Sequence, residues 1–183
     1  MEALNYLIKV LFDALFTILI LRVWLQLVRA DFYNPISQFV VKITNPLVVP
    51  VRKIIPGLGG IDLATVFVAY IIAVLKFIII IRLNGGPFDI PISLFIGLLF
   101  FIKQVGVLLF MIMLIMAIMS WVVQGYNPTM ALFQQLTDPV LKPIRKVIPA
   151  IGGLDLSIIV AFLALNVINI LLAGMFPNFW IGL

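Results

Sequence analysis

The residues with the most defined chemistry are two Arg-Lys pairs, each followed a few positions later by two glycines. The residues concerned are Arg52, Lys53, Gly59 and Gly60 and, later in the chain, Arg145, Lys146, Gly152 and Gly153. Paired cations beside the free backbone amides of a helix start would bind an anion, such as the phosphate of an anionic lipid headgroup. Alternatively, the basic residues anchor a loop at the cytoplasmic membrane surface and the glycines form a tight turn. We favour anchoring, because it accounts for every residue type present.

Four further polar residues stand where helices are expected to begin. Asp62 and Asp155 precede long apolar segments, and Asn34 and Asn127 each precede a proline. Asp and Asn are favoured N-cap residues, and proline is favoured at the first helical position. We therefore assign these four a structural role. The two aspartates would also compete with an external anion for the same amides.

Ionisable and amide side chains inside apolar segments form a second candidate site. Lys9 and Asp13 are four residues apart, so they share a helix face and can pair, whereas Arg22 has no partner evident in the sequence. Intramembrane ionisable residues are costly and often functional. One hypothesis is a polar path between two halves of the protein, lined by Lys9, Asp13, Lys76, Lys103 and Asn166. The alternative is helix packing, with the long side chains reaching an interface.

The composition limits the chemistry further. Of the 183 residues, 64% are hydrophobic and 10% are charged. This chain has too few polar residues to cover the surface of a water-exposed monomer. The chain has no Cys and no His, so thiolate and imidazole sites are excluded. We expect no metal, no cofactor and no enzymatic activity. In a chain this apolar, the net charge of +5 indicates membrane topology and not nucleic-acid binding.

The elements that must position these residues are transmembrane helices. A helix that crosses a bilayer needs roughly 20 mostly apolar residues. Four segments are long enough: about 4–28, 61–81, 104–123 and 156–175. A shorter apolar segment, 90–102, is interfacial, re-entrant or an extension of the third span. The predicted fold class is an all-α integral membrane protein with four transmembrane helices.

The sequence repeats at an offset of 93 residues. Residues 45–63 match 138–156 at ten of 19 positions, and Asn34-Pro35 matches Asn127-Pro128. The predicted units are 1–89, with two spans and a basic loop, and 90–183, which adds the short apolar segment. Because both loops are rich in Lys and Arg, we expect them in the cytoplasm and both termini in the periplasm. The two units should be parallel repeats.

Each long loop is predicted to contain short amphipathic helices. Asn34-Pro35 and Asn127-Pro128 mark one start in each loop, and Asn45-Pro46 and Asp138-Pro139 mark another. We therefore expect two short helices per loop, lying on the cytoplasmic membrane surface or dipping into it.

The same residues carry a family resemblance. The segment 31–42, Asp-Phe-Tyr-Asn-Pro-Ile-Ser-Gln-Phe-Val-Val-Lys, resembles the first loop of the YggT family of bacterial membrane proteins. The repeated Arg-Lys, Ile-Pro and Gly-Gly-x-Asp motif and the segment 117–121, Ala-Ile-Met-Ser-Trp, are also similar to that family. The resemblance is closest to its two-repeat proteobacterial type. It implies a bacterial inner membrane location and a link to osmotic and extracytoplasmic stress tolerance.

Two functions follow as expectations. The first is a membrane scaffold or assembly factor, whose basic loops contact lipid headgroups or a cytoplasmic or membrane protein partner, with oligomers allowed. The second is a small channel or transporter for ions or osmolytes, with its path between the repeats. Span three has no charged residue from Gln104 through Trp121, which favours the scaffold.

Overall fold

The computed structural model describes residues 2–123, 125, 127–148 and 155–180. This part of the chain is helical and contains no strand. Its helices are α1 (Glu2–Leu27), α2 (Pro35–Arg52), α3 (Leu63–Leu83), α4 (Ile90–Val122), α5 (Pro128–Val147), α6 (Leu156–Met175) and α7 (Pro177–Trp180).

Four of these helices, α1, α3, α4 and α6, are long and apolar enough to cross a membrane. They coincide with the four predicted spans. The short apolar segment 90–102 is an extension of the third span, since α4 runs without a break through 33 residues. At 1.5 Å per residue α4 is about 50 Å long, which exceeds the hydrocarbon thickness of a bilayer by about 20 Å.

The loop segments differ from the prediction of two short helices each. The structure has one continuous helix per loop, α2 and α5, and each contains two internal prolines. An interior proline removes one backbone hydrogen bond, but it does not end a helix whose remaining turns are held by packing. One face of α2 is buried against the spanning helices, and its members are Ser37, Val40, Thr44 and Val48. Asn45-Pro46 and Asp138-Pro139 are therefore not helix starts.

Helices α1 and α3 run antiparallel, and polar contacts join them along their length. Asn5 donates to Asn84 at 2.9 Å near one end. Lys76 donates to Asp13 at 2.6 Å further along. At the loop end, Arg22 of α1 approaches Asp62, the residue that precedes α3, at 3.8 Å. These contacts fix the register of the two helices.

A small residue allows α3 and α4 to approach closely. A Cβ atom on Gly97 would lie 2.7 Å from Val74 Cγ2 and 3.2 Å from the Val74 backbone nitrogen. Beside this crossing, Phe100 packs edge-on against Phe16 and Phe77, with ring centroids 5.0 and 5.5 Å apart. The main apolar core is therefore centred on α1, α3 and α4, and buried residues of α2 and α5 belong to it as well.

The two loop helices lie at the same end of the molecule. Trp24 Nε1 donates to the carbonyl of Leu136 at 2.8 Å, and Asn34 Nδ2 donates to the carbonyl of Pro128 at 3.1 Å. The backbone amide of Asp31 donates to Gln135 Oε1 at 3.1 Å. These bonds join the loop end of the first repeat directly to α5.

The outer part of α6 is sparsely covered by the other helices. Its buried residues are Ser157, Ile158 and Ala161, all within its first two turns. Beyond them a groove of about 600 Å³ opens between α4 and α6. The second repeat is therefore more open than the first, in which α1 packs along α3.

Candidate functional site

The loop end of the first repeat holds a group of interacting side chains that we call the first-repeat cluster. Its members are Arg22, Thr44, Asn45, Arg52, Asp62 and Thr65. Arg22 reaches from α1 to α2, where its guanidinium donates to Thr44 Oγ1 at 2.6 Å and to Asn45 Oδ1 at 2.9 Å. Because Arg22 is only 5% exposed, it binds a neighbouring helix and does not reach into solvent.

Asp62 connects this cluster to the start of α3. It is the N-cap of α3 and accepts from Thr65 N at 3.2 Å and from Thr65 Oγ1 at 2.6 Å. The same carboxylate forms an ion pair with Arg52 and lies 3.8 Å from Arg22. One buried carboxylate therefore serves two guanidinium groups and the free amides of a helix.

The second repeat has a related but more exposed group of side chains. Arg145 donates to Asp155 through two nitrogens, at 2.9 and 2.6 Å, and lies 3.4 Å from Asp138. Asp155 is the N-cap of α6 and accepts from Ser157 N at 3.1 Å. The Arg and Asp of the central pair are ten positions apart in both repeats.

Both aspartates are held in their charged forms. Burial on its own would raise the pKa of Asp62, but hydrogen bonds from Thr65 and Arg52 outweigh it, so the pKa lies below its usual value. The pKa of Asp155 is lowered in the same way by Ser157 and Arg145. A carboxylate that accepts several hydrogen bonds is stabilised as an anion.

This geometry weakens the anion-site hypothesis for the Arg-Lys pairs. Arg52 and Arg145 are directed to carboxylates of the protein itself, and those carboxylates cap the helix amides that an external anion would use. Lys53 and Lys146 are exposed. The arginines and the lysines of the two pairs therefore have different surroundings.

The glycines of the first pair form a tight turn. Gly59 and Gly60 have φ angles of 61° and 86°, a region that side chains disfavour. The flanking residues Leu58 and Ile61 exchange backbone hydrogen bonds at 3.1 and 3.0 Å. Gly152 and Gly153 lie outside the described residues.

Asn34 and Asn127 are the N-caps of α2 and α5.

The intramembrane polar residues fall into separate surroundings. Asp13 pairs with Lys76 of α3 and not with Lys9, which is exposed on α1. Lys76 is 4% exposed, and its ammonium lies 3.8 Å from the centroid of the Phe100 ring. The predicted pair of Lys9 and Asp13 is therefore wrong. Spacing by four residues allows such a pair, but Lys76 on the neighbouring helix lies closer to Asp13.

Lys103 and Asn166 lie on the other side of α4. Lys103 donates to the carbonyl of Trp180 at 2.8 Å, and Trp180 Nε1 donates to Asn169 Oδ1 at 2.8 Å. These residues and the exposed Asn166 line the groove between α4 and α6. The proposed path residues are thus not brought together: Asp13 and Lys76 lie at the α1–α3 interface, Lys9 is exposed on α1, and Lys103 and Asn166 line this groove.

Sequence reasoning missed the first-repeat cluster as a unit. It treated Arg22 as a residue without a partner and did not connect it to Thr44, Asn45 or Asp62. One signal was available: the spacing of ten between Arg52 and Asp62 recurs between Arg145 and Asp155. Among the residues that the structure describes, no group of three or more His, Cys, Asp or Glu could hold a metal ion.

Four apolar helices of spanning length, with two amphipathic helices joined at one end, indicate an α-helical multipass membrane protein. The sequence model of the CCB3/YggT family matches residues 1–83 and 95–176. The chain belongs to this family.

Bacterial relatives match over nearly their entire lengths. The chain is 50% identical over 185 residues to an uncharacterized protein in the proC 3'region of Vibrio alginolyticus, covering 100% of both chains. It is 41% identical to the uncharacterized protein YggT of Escherichia coli K12, again over 100% of each. An uncharacterized protein of Pseudomonas aeruginosa is 45% identical over 91% of this chain and 86% of its own. No solved structure matches the chain.

Proposed function

We propose that this protein is a scaffold or assembly factor of the bacterial inner membrane that supports tolerance of osmotic and extracytoplasmic stress. Its basic loops would lie in the cytoplasm and both termini in the periplasm, as the distribution of Lys and Arg favours. The observation that carries the proposal is the pair of loop helices. Both pack on the spanning helices at one end of the molecule and leave a second face uncovered.

The uncovered faces suit a membrane surface or a protein partner. On α2 the exposed residues include Phe39, Ile43 and Leu47 together with Lys42. Apolar side chains flanked by lysine are typical of helices that lie at an anionic lipid interface. On α5 the exposed residues are more polar and include Gln134, Gln135, Lys142 and Lys146. The two loop helices therefore offer two different contact surfaces on one platform.

The intramembrane charges also support a scaffold. Asp13 and Lys76 neutralise each other between packed helices, and Arg22 is bound by α2 and Asp62. Such pairs hold helices together, and they need no aqueous path to be stable. A structural role therefore accounts for the most costly residues.

The deciding experiment compares ion flux with surface contact. Purified protein is reconstituted in liposomes, and flux of K⁺, Na⁺ and small osmolytes is measured across an imposed gradient. In parallel, binding to vesicles with and without anionic lipid is compared for the wild type and a variant with Lys42, Lys53, Lys142 and Lys146 changed to Gln. We expect no selective flux and weaker binding of the variant. Robust selective flux contradicts the scaffold. Lipid binding that is the same in the wild type and the lysine variant also contradicts it, if no cytoplasmic partner binds either.

The second candidate is a small ion or osmolyte channel or transporter. The observation that favours it is the groove of about 600 Å³ between α4 and α6, which Lys103, Asn166 and Asn169 line. If this groove conducts a solute, Asn166→Leu should reduce the flux without changing the stability of the protein. In a scaffold this variant should leave stress protection unchanged.

A further inference from the structure

The second repeat contains a polar cavity at its loop end. It has a volume of about 380 Å³ and lies between the loop end of α4, the helix α5 and the start of α6. We call it the second-repeat cavity. Its polar and sulfur-bearing lining residues include Met116, Ser120, Gln134, Asp138, Arg145 and Asp155.

The cavity corresponds to the place that Arg22 occupies in the first repeat. Arg22 approaches the Val41 carbonyl at 3.5 Å, and it also contacts Thr44, Asn45 and Asp62. At the offset of 93, these four positions become Gln134, Thr137, Asp138 and Asp155. Three of those four line the cavity. The groups that bind a guanidinium in the first repeat thus surround a space in the second.

No residue of α4 supplies the corresponding cation. The segment from Gln104 to Val122 has no charged residue, so the helix that replaces α1 carries no arginine at this end. The position is approached by Met116 instead, whose sulfur accepts a hydrogen bond from Thr137 Oγ1 at 3.0 Å. Thr44, the counterpart of Thr137, accepts from Arg22.

The two sites also differ in the charged groups that they contain. In the first repeat, Arg22 and Arg52 share one carboxylate, Asp62. In the second, Arg145 faces two carboxylates, because the counterpart of Asn45 is Asp138. The second site therefore lacks the buried cation Arg22 and has one more anion, Asp138, which is paired at the surface with Lys142.

Two cations lie near Asp138, and the closer of them, Lys142, is a weaker competitor than its distance suggests. Lys142 lies 2.8 Å from Asp138, but its side chain is 68% exposed. Exposed pairs of this kind contribute little to stability, so a better-buried cation can displace the lysine. The cavity volume is near the lower end of the range for small-molecule sites, roughly 300–1,000 Å³.

We propose that the second-repeat cavity binds a small guanidinium compound, whose planar head contacts Asp138 and Asp155 as Arg22 contacts Asn45 and Asp62 in the first repeat. A guanidinium suits this site because its fixed fork of donors matches carboxylate oxygens and amide oxygens such as that of Gln134.

The test uses methylguanidinium as the probe and the full-length protein in nanodiscs. The thermal unfolding midpoint is followed as methylguanidinium chloride is titrated in the millimolar range, with NaCl, KCl and tetramethylammonium chloride at matched ionic strength. We expect a saturable rise in the midpoint with methylguanidinium alone. A rise that does not saturate, or an equal rise with the other salts, overturns the proposal.

Two variants locate the site. Asp138→Asn introduces the residue that the first repeat has at Asn45, so the fold should tolerate it. We expect it to weaken methylguanidinium binding by about tenfold or more, the loss expected for a hydrogen bond to a charged group. Met116→Arg should fill the cavity with a tethered guanidinium, raise the midpoint without ligand and abolish the response.

The matched control is Asn45→Asp in the first repeat, which should leave methylguanidinium affinity unchanged. Because affinity is read from the concentration dependence, a lower starting midpoint in any variant does not imitate lost binding. If Asp138→Asn binds with wild-type affinity, the proposal is wrong, whatever the behaviour of Met116→Arg.

Discussion

At the scale of single residues, most of the unusual side chains act in pairs between helices. Arg22 and Lys76 are buried cations, and each has a carboxylate near it on another part of the chain. A buried ion pair adds little net stability, but the loss of one partner is costly because the other charge is left desolvated. Asp13 and Asp62 are therefore the residues whose neutralisation should matter most.

Asp62→Asn and Asp155→Asn form a matched pair of variants. Asn preserves the N-cap in both cases, so only the charge is lost. We expect Asp62→Asn to lower the free energy of unfolding by about 3 kcal/mol, since it leaves buried Arg22 without an anion. Asp155→Asn should cost about 1 kcal/mol, because its partner Arg145 is 36% exposed. Chemical unfolding in detergent micelles measures both, and equal losses would contradict the role of burial.

The lowered pKa of Asp62 also predicts a pH dependence. A carboxylate with a folded pKa below its ordinary value of 3.8 stabilises the protein above that value, and this stabilisation is lost as the pH falls through the folded pKa. The difference in unfolding midpoint between wild type and Asp62→Asn should therefore shrink as the pH is lowered from about 6 to about 3. A difference that is constant over this range would show that the charge of Asp62 is not its source.

Variants of the Asp13–Lys76 pair can distinguish a structural role of these charges from a role in transport. Asp13→Asn should destabilise the protein, whereas Lys9→Gln should not, since Lys9 is exposed. Replacing both members, with Asp13→Leu and Lys76→Met, should restore most of the stability, because apolar residues fill the space without a desolvation cost. Thermal unfolding and survival of osmotic stress are measured together. Restored stability with lost protection would indicate that the charges have a functional role.

At the scale of elements, glycine decides how closely two helices approach. Gly97 is buried where α4 crosses α3, with Val74 in the position that a side chain would need. By contrast, a Cβ atom on Gly106 of the same helix would meet no atom within 4 Å. The two glycines therefore differ in tertiary surroundings and not in secondary structure.

We expect Gly97→Leu to disrupt the packing of α3 on α4 and Gly106→Ala to be neutral or stabilising by up to about 1 kcal/mol, the helix propensity gain of Ala over Gly. The yield of monodisperse protein and its thermal midpoint give the comparison. If the Gly97→Leu variant is as stable as the Gly106→Ala variant, α3 and α4 do not approach each other at Gly97 as closely as described.

At the scale of the whole molecule, the orientation of the loops can be tested directly, because the natural chain has no cysteine. Single cysteines at Lys53, Lys146 and Gly85 would be probed in spheroplasts with a membrane-impermeant maleimide. With α2 and α5 at one end, Lys53→Cys and Lys146→Cys should be labelled only after lysis, and Gly85→Cys should be labelled from outside. Labelling of the two loop positions from opposite sides would exclude a parallel repeat.

Much of the architecture followed from the sequence. The four spans, the N-cap residues and the tight turn at Gly59-Gly60 depend on local composition and backbone conformation, which short segments express on their own. The unbroken length of α4 and the single helices α2 and α5 did not follow. Proline marks a possible start, but only packing of the surrounding turns determines whether a helix continues through it.

Composition alone indicates a membrane protein, and the order of the residues shows the repeat and the positions of the few charges. Which of these charges meet depends on how the helices pack. Asp13 pairs with Lys76 across 63 positions, and Arg22 contacts Asp62 across 40. The physical reason is that desolvated charges require partners within a few ångströms. In an antiparallel helix pair, that proximity depends on the register between helices and not on spacing along the chain.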